Sequence, residues 1–147
     1  MSFKMWKLLY LLLVVVLAGE TSQGKSDCEE HRERELKSNN PVRLVPTCDK
    51  NGDYEPMQCF EDRFACACWD KVGRPLTPAN STIKSCDCVL ENYNARKQGL
   101  LGGYIPQCSD DGRYEKVQCH AGTGFCWCAD TNTGKNVTKP ARGSPTC

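Results

Sequence analysis

The sequence predicts a small disulfide-rich fold of the α+β class, built twice in tandem. Three observations predict it. The first is cysteine spacing. Cys28, Cys48, Cys59, Cys66, Cys68 and Cys86 are separated by 20, 11, 7, 2 and 18 positions, and Cys88, Cys108, Cys119, Cys126, Cys128 and Cys147 by 20, 11, 7, 2 and 19. A shared period of about 60 residues marks a tandem of domains, since it is too long for a solenoid repeat. The second is that each copy carries a helix-starting signal, then strand-like runs punctuated by tight turns. The third is an apolar leader that directs the chain into an oxidising route, where cysteines pair.

The leader comprises residues 1–18. Lys4 and Lys7 give a positive start, an unbroken apolar run follows from Leu8 to Leu17, and Val16 and Ala18 are small enough for a cleavage site. Cleavage is expected after Ala18, or after Gly24, which closes a small polar stretch. The run is about half the length of a membrane-spanning helix, which favours a signal peptide over an anchor. No later stretch is apolar enough to span a membrane, so no membrane anchor is expected. The expected product is secreted, extracellular and monomeric.

In that compartment six cysteines per unit pair with none left over. Zinc is the competing use, but zinc sites favour CxxC spacings and histidines. The chain has only His31 and His120, neither in such a pattern. No metal and no cofactor are expected. Six cysteines allow 15 pairings, and only a bond within a CxC is disfavoured, because its ring would be strained. A unit of about 60 residues buries too little for a hydrophobic core to hold it alone. Closing a loop of about 20 residues with a disulfide contributes roughly 3 kcal/mol in the chain-entropy model. Charge is balanced, with 19 Lys and Arg against 18 Asp and Glu. Loss of Lys4 and Lys7 with the leader brings the two close to equal, and nothing suggests the concentrated basic surface of a nucleic-acid binder.

Unit one is expected over residues 25–86. Ser26 with Glu29, or Asp27 with Glu30, fits a capping box that starts a short helix, and Glu30 and Arg34 stand one turn apart for pairing. The helical run breaks at Ser38-Asn39-Asn40-Pro41. Asn51-Gly52 is a turn signal. The run from Tyr54 to Cys59 contains Pro56 and is an edge strand at best. Cys59 to Cys66 turns tightly back into a second run ending at Trp69. Only Asp87 separates Cys86 from Cys88, so the two units should form a stiff pair. Unit two is expected over residues 88–147. Asp87 is expected to cap a helix over residues 89–98 that ends at Gly99. Asp111-Gly112 is its turn and residues 114–119 its strand. Alternation in a strand puts Cys126 and Cys128 on one face and Trp127 on the other. Unit one has Ala67-Cys68-Trp69 where unit two has Trp127-Cys128-Ala129. The Trp and Ala exchange places on a strand face with their summed volume kept, which reads as a compensated core swap. Asn80-Ser81-Thr82 and Asn136-Val137-Thr138 are glycosylation sequons at Asn80 and Asn136.

These elements together resemble the thyroglobulin type-1 domain family. The residues that carry the resemblance are Pro46-x-Cys48, Gly52-x-Tyr54 and Gln58-Cys59 in unit one. In unit two they are Pro106-x-Cys108, Gly112-x-Tyr114, Gln118-Cys119 and Cys126-Trp127-Cys128. The match extends over residues 28–147. The arrangement is also similar to small two-domain members of the family in spider venoms, whose first domain opens near the sequence seen here from Lys25 to Cys28. The resemblance implies a short helix beside a small antiparallel sheet in each unit. It implies the bridges Cys28–Cys48, Cys59–Cys66 and Cys68–Cys86, then Cys88–Cys108, Cys119–Cys126 and Cys128–Cys147.

The resemblance further implies an activity. Family members called thyropins inhibit papain-like cysteine proteases by inserting a wedge of three loops into the active-site cleft. A stapled wedge enters with little further ordering entropy. The expected partner is therefore a papain-like, cathepsin L-like cysteine protease. In unit two the first loop would contain Leu100, Leu101, Gly102, Gly103 and Tyr104. The second would contain Ala121, Gly122, Thr123, Gly124 and Phe125, and the third would lie near residues 136–142. Unit one has Phe64 at the place of Gly124 and a bulkier, more charged loop over residues 60–65. Inhibition is therefore expected mainly from unit two, while unit one departs from the pattern and would serve another protease or mainly orient unit two. The competing expectation is a binding module or venom component for another target: an aspartic protease, a growth factor, or a glycan met by Lys135, Lys139 and Arg142. An enzyme is not expected. No cysteine is left as a nucleophile, and there is no recognisable pair of catalytic carboxylates. His31 reads as a helix-surface residue and His120 as an exposed turn residue.

Overall fold

A computed structural model of the chain describes residues 24–62, 64–99 and 101–147. The expected signal peptide over residues 1–18, its cleavage point after Ala18, and Leu100 lie outside the described residues. Domain one contains helix α1 (Asp27–Lys37) and a hairpin of β1 (Met57–Cys59) and β2 (Cys66–Cys68). Domain two contains helix α2 (Asp87–Gln98) and a sheet ordered β3 (Val117–His120), β4 (Phe125–Cys128) and β5 (Ala141–Arg142). All pairings are antiparallel. Six disulfides use all twelve cysteines: Cys28–Cys48, Cys59–Cys66, Cys68–Cys86, Cys88–Cys108, Cys119–Cys126 and Cys128–Cys147.

Helix α1 starts where its sequence supplies a reciprocal cap. The Glu29 N–H donates to Ser26 Oγ (3.2 Å) and the Ser26 N–H donates to the Glu29 carboxylate (2.9 Å). The Ser26 cap, not the Asp27 alternative, is the one formed. Acidic side chains in the first turn and basic ones in the last match the helix dipole. The expected Glu30–Arg34 pair is absent among the described residues. Glu33 instead binds Lys37 at 2.8 Å and Lys25 from ahead of the helix. Those two cations hold the Glu33 carboxyl down at about 2. Helix α2 corrects a second expectation. Its N-cap is Cys86, without a side-chain cap bond, and Asp87 is already helical. Ser85 Oγ accepts the Asp87 N–H at 3.2 Å, so the serine ahead of the bridge does the work assigned to the aspartate. Gly99 ends the helix at φ 63°, where a side chain would be strained.

Each helix docks on the Pro-x-Cys segment of its own domain by the same device. Arg32 donates to Pro46 O and Asn92 to Pro106 O, both at 2.7 Å. The strands are shorter than the runs that predicted them. Tyr54 and Tyr114 make only isolated bridges to Cys48 and Cys108 before β1 and β3 begin. Because the buried hydrophobic residues are mostly Cys and Ala, the interior is filled by the bridges and a few rings. One buried polar residue in each domain organises the rest. Gln118 accepts from Gln107 N–H (2.8 Å) and Tyr104 O–H (2.7 Å), and donates to Gln107 O (2.7 Å) and Glu115 O (2.9 Å). Gln58 makes the matching set with Thr47 and Glu55. All four bonding directions of the amide are thereby satisfied, which is what permits its complete burial.

The exchanged tryptophans do not fill one shared space. Trp127 packs on Tyr104, 5.1 Å between ring centroids. Trp69 packs on Tyr54 at 5.6 Å and stacks with His31 at 6.3 Å. Each ring is two residues along the strand from the other's place, about 7 Å. The swap therefore moves aromatic mass from the first loop, in domain two, to the helix, in domain one. His31 is accordingly a half-buried partner of Tyr54 O–H (3.0 Å) and not a helix-surface residue. In domain two the same tyrosine, Tyr114, donates to Glu91 on the helix.

The domains touch through more than Asp87. The backbone N–H groups of Lys84 and Ser85 donate to Asp111 O at 2.8 and 3.3 Å. A Cβ on Gly112 would stand 1.8 Å from Ser85 O, so the domain-two turn can lie there only with glycine. On the other side Arg74 donates to Tyr93 O–H (3.0 Å) on α2 and binds Asp70 (2.9 Å) within its own domain.

Candidate functional site

Three loops of domain two converge at one end of its sheet. The first leaves α2 at Gly99 and runs through Leu101, Gly102, Gly103 and Tyr104. Leu101 is fully exposed, an unusual place for a large apolar side chain. Tyr104 anchors the base of the loop through Gln118 and Trp127, and burial, with a smaller effect from the Glu91 charge, pushes its hydroxyl up to about 12.

The second loop is the β3–β4 turn. Gly124 N–H and Thr123 N–H both donate to His120 O (2.8 and 3.1 Å), and Gly124 has φ 71°. Ala121, Gly122, Thr123 and Gly124 are exposed. A Cβ on Gly122 would lie 2.6 Å from Gly102 O and 3.1 Å from Gly102 Cα. The first and second loops thus meet backbone to backbone. The Cys119–Cys126 bridge closes the base of this turn.

The third loop needs correction. Its expected span, residues 136–142, runs antiparallel along β4, and only its far end reaches the tip. Asn136 pairs with Ala129, Ala141 with Cys126, and Arg142 with Phe125. At about 3.4 Å per residue the two ends are well over 10 Å apart. The Arg142 guanidinium lies 5.6 Å from the centre of the Phe125 ring, a cation–π contact that joins the third loop to the second. Lys135, Lys139 and Arg142 are all exposed along this stretch. His120 also departs from expectation. It is half-buried, 6.2 Å from Tyr104 ring to ring, and its Nδ1 has no hydrogen-bond partner among the described residues.

Domain one builds the same end differently. Arg43 stands at the place of Gly103 and Glu61 at that of Ala121. They form a two-pronged ion pair at 2.6 and 2.9 Å, and Arg43 also donates to Ser38 O at 2.8 Å. Phe60 and Phe64 stack at 4.9 Å, with Phe64 and Val42 half exposed. This tip is charged and aromatic, whereas the tip of domain two joins two loops through glycines and presents Leu101, Phe125 and Arg142 as its exposed large side chains. Among the described residues no helix is long and apolar enough to cross a membrane.

A bridged helix, a Pro-x-Cys segment and a Gln-Cys hairpin, repeated with one residue between copies, define a tandem of cysteine-framed modules. The chain belongs to the thyroglobulin type-1 repeat family, whose sequence model matches residues 28–88 and again 87–147. It is similar to U20-hexatoxin-Hi1a of Hadronyche infensa, 48% identical over 141 residues that cover 92% of this chain and 97% of the relative. It is also similar to U24-ctenitoxin-Pn1a of Phoneutria nigriventer, 40% identical over 118 residues that cover 80% of this chain and 91% of the relative. Equistatin of Actinia equina is 35% identical over 110 residues, 69% of this chain and 48% of that protein.

Proposed function

We propose that the chain is a secreted, non-enzymatic inhibitor of papain-like cysteine proteases, entering the cleft of a cathepsin L-like enzyme with the three loops of domain two. The observation that carries this reading is the contact of Gly122 with Gly102. It brings two loops together without side chains between them, so that their backbones form one edge. A cleft built for an extended peptide accepts such an edge, and the Cys119–Cys126 bridge with the Trp127–Tyr104 packing limits the ordering cost of entry. Export by the leader over residues 1–18, and action as a monomer, are parts of the same reading.

The test is competition with a small fluorogenic substrate on a cathepsin L-like protease, using the oxidised protein with its six bridges verified by mass. Competitive inhibition at nanomolar concentration supports the reading. Absence of inhibition at micromolar concentration overturns it. A second reading is favoured by the two toxin-named relatives, which match nearly their whole length. On it the chain is a venom component that binds an aspartic protease, a growth factor or a glycan. Retention on a heparin column, lost when Lys135, Lys139 and Arg142 are neutralised together, would single out the glycan.

A further inference from the structure

Two asparagines carry the Asn-x-Thr pattern, and the fold treats them differently. In the Asn136 sequon the threonine is needed structurally. Thr138 Oγ1 accepts the Cys128 N–H at 2.9 Å, and its own N–H donates to Cys128 O at 3.3 Å. Thr77 makes the same two bonds with Cys68 in domain one, at 2.9 and 3.3 Å, where Pro75 replaces the asparagine. A threonine belongs at this place whether or not a sugar is attached. Thr82 has no such duty. It is exposed, and its bond in the structure is from its backbone N–H to Asn80 Oδ1 at 3.0 Å. That bond holds the Asn80 amide by its oxygen and leaves Nδ2 as its open end.

The two asparagines also sit at opposite ends of their sheets. Asn80 is exposed and pairs with Cys66 through both backbone bonds, at 3.0 and 2.9 Å. This is the place that Ala141 holds beside Cys126 in domain two. Cys66, the first residue of β2, is two residues from Phe64 in the turn that precedes it. By its pairing with Cys66, Asn80 therefore stands at the tip end of the domain-one hairpin, the end that carries the exposed Phe64, and it also borders a groove with Val89 and Asp110. Asn136, opposite Ala129, lies at the end of its sheet away from the tip.

We propose that Asn80 is an N-glycosylation site whose glycan covers the loop cluster of domain one and leaves domain two as the open tip. The inference rests on the reading that the chain is secreted and engages partners through its loop tips. In the reaction Asn80 Nδ2 forms a bond to the anomeric carbon of a lipid-linked oligosaccharide. The bond from that carbon to the diphosphate leaving group breaks, Nδ2 loses one proton, and nothing is oxidised or reduced. A bulky, solubilising group is thereby fixed at the end of domain one that carries the exposed Val42 and Phe64.

The test uses the full chain secreted from insect cells, beside its Asn80→Gln and Thr82→Ala variants. Thr82→Ala removes the sequon while keeping Asn80 and its bond to the residue-82 backbone, so loss of the sugar is separated from damage to the fold. Peptide mass mapping reads occupancy, and hydroxyl-radical footprinting reads exposure of the tips. The expected result is an oligosaccharide on Asn80, with Phe64 labelling lower than in both variants, the shielding of a bulky group. Leu101 and Phe125 should label equally in all three proteins. An unmodified Asn80 overturns the proposal. So does equal labelling of Phe64, the outcome if the sugar lies instead in the interdomain groove that Asn80 borders with Val89 and Asp110. Neither readout involves a protease, so failure of the inhibition assay would overturn the proposed function and leave this inference standing.

Discussion

At the scale of single residues, the glutamine before the third cysteine of each domain explains more of the fold than any cysteine does. Gln118 joins the Pro-x-Cys segment, the first loop and the start of the hairpin through four bonds. Gln118→Ala leaves Gln107 N–H and O and the Tyr104 hydroxyl without that partner, each costing about 1–3 kcal/mol where water cannot replace it. A loss of roughly 3 kcal/mol or more is expected, read from urea melts of the oxidised protein. Gln-Cys was legible as a motif, but its role was not, because a glutamine in a sequence reads as surface. Gly122 is the complementary case. Gly122→Ala forces backbone away from Gly102. It should weaken inhibition about tenfold or more, or roughly 1.4 kcal/mol, with an unchanged far-ultraviolet spectrum. Tyr104 gives a pH signature. Its hydroxyl ionises near 12 in the fold, above the unfolded value of about 10. Its contribution to stability should be fully present below pH 10 and lost as pH rises toward 12. Tyr104→Phe should flatten that alkaline decline in a melting-temperature series.

At the scale of elements, the two hairpins show how one plan yields two different ends. Trp127 braces the first loop through Tyr104, while Trp69 braces the helix through Tyr54 and His31. Trp127→Ala should cost about 3–5 kcal/mol, as large aromatic truncations do. It should also raise amide exchange over residues 101–104. Trp69→Ala should leave exchange over residues 41–44 unchanged, because Arg43 and Glu61 hold that loop. The helix and hairpin order was readable from caps, turns and cysteine intervals. The exchange of Trp and Ala on one face was legible, but not which neighbour each ring braces, since sequence spacing shows that two residues share a face and not what lies over each. The cap of α2 was misassigned for a related reason. Ser85 and Asp87 are both capping residues by type, and only the geometry of the bridged Cys86 decides between them. The third loop was drawn too long because pairing along β4 is set by register, which turn residues did not reveal.

At the scale of the whole molecule, the junction is a built interface. Asp111 accepts two backbone bonds from the end of domain one while its side chain binds Arg113 at 2.6 Å. Arg113 first and Ser109 second hold its carboxyl well below the usual range. That contribution is present above about pH 4 and is lost as pH falls through the depressed value. Gly112→Ala cannot keep Ser85 O where it is. Small-angle scattering should then report a larger radius of gyration, with both domains still folded by near-ultraviolet dichroism. The same glycine in domain one, Gly52, faces Ser26, the residue just ahead of that domain's own first bridge. Both turn glycines thus lie against the segment that leads into a first bridge, Gly52 against a side chain and Gly112 against the backbone at the end of domain one. Such a joint is an operation that can be iterated. A third copy fused after Cys147 in the same register would take the same rotation and rise relative to the second, and a longer array would wind about a screw axis with its tips displayed at regular angular steps.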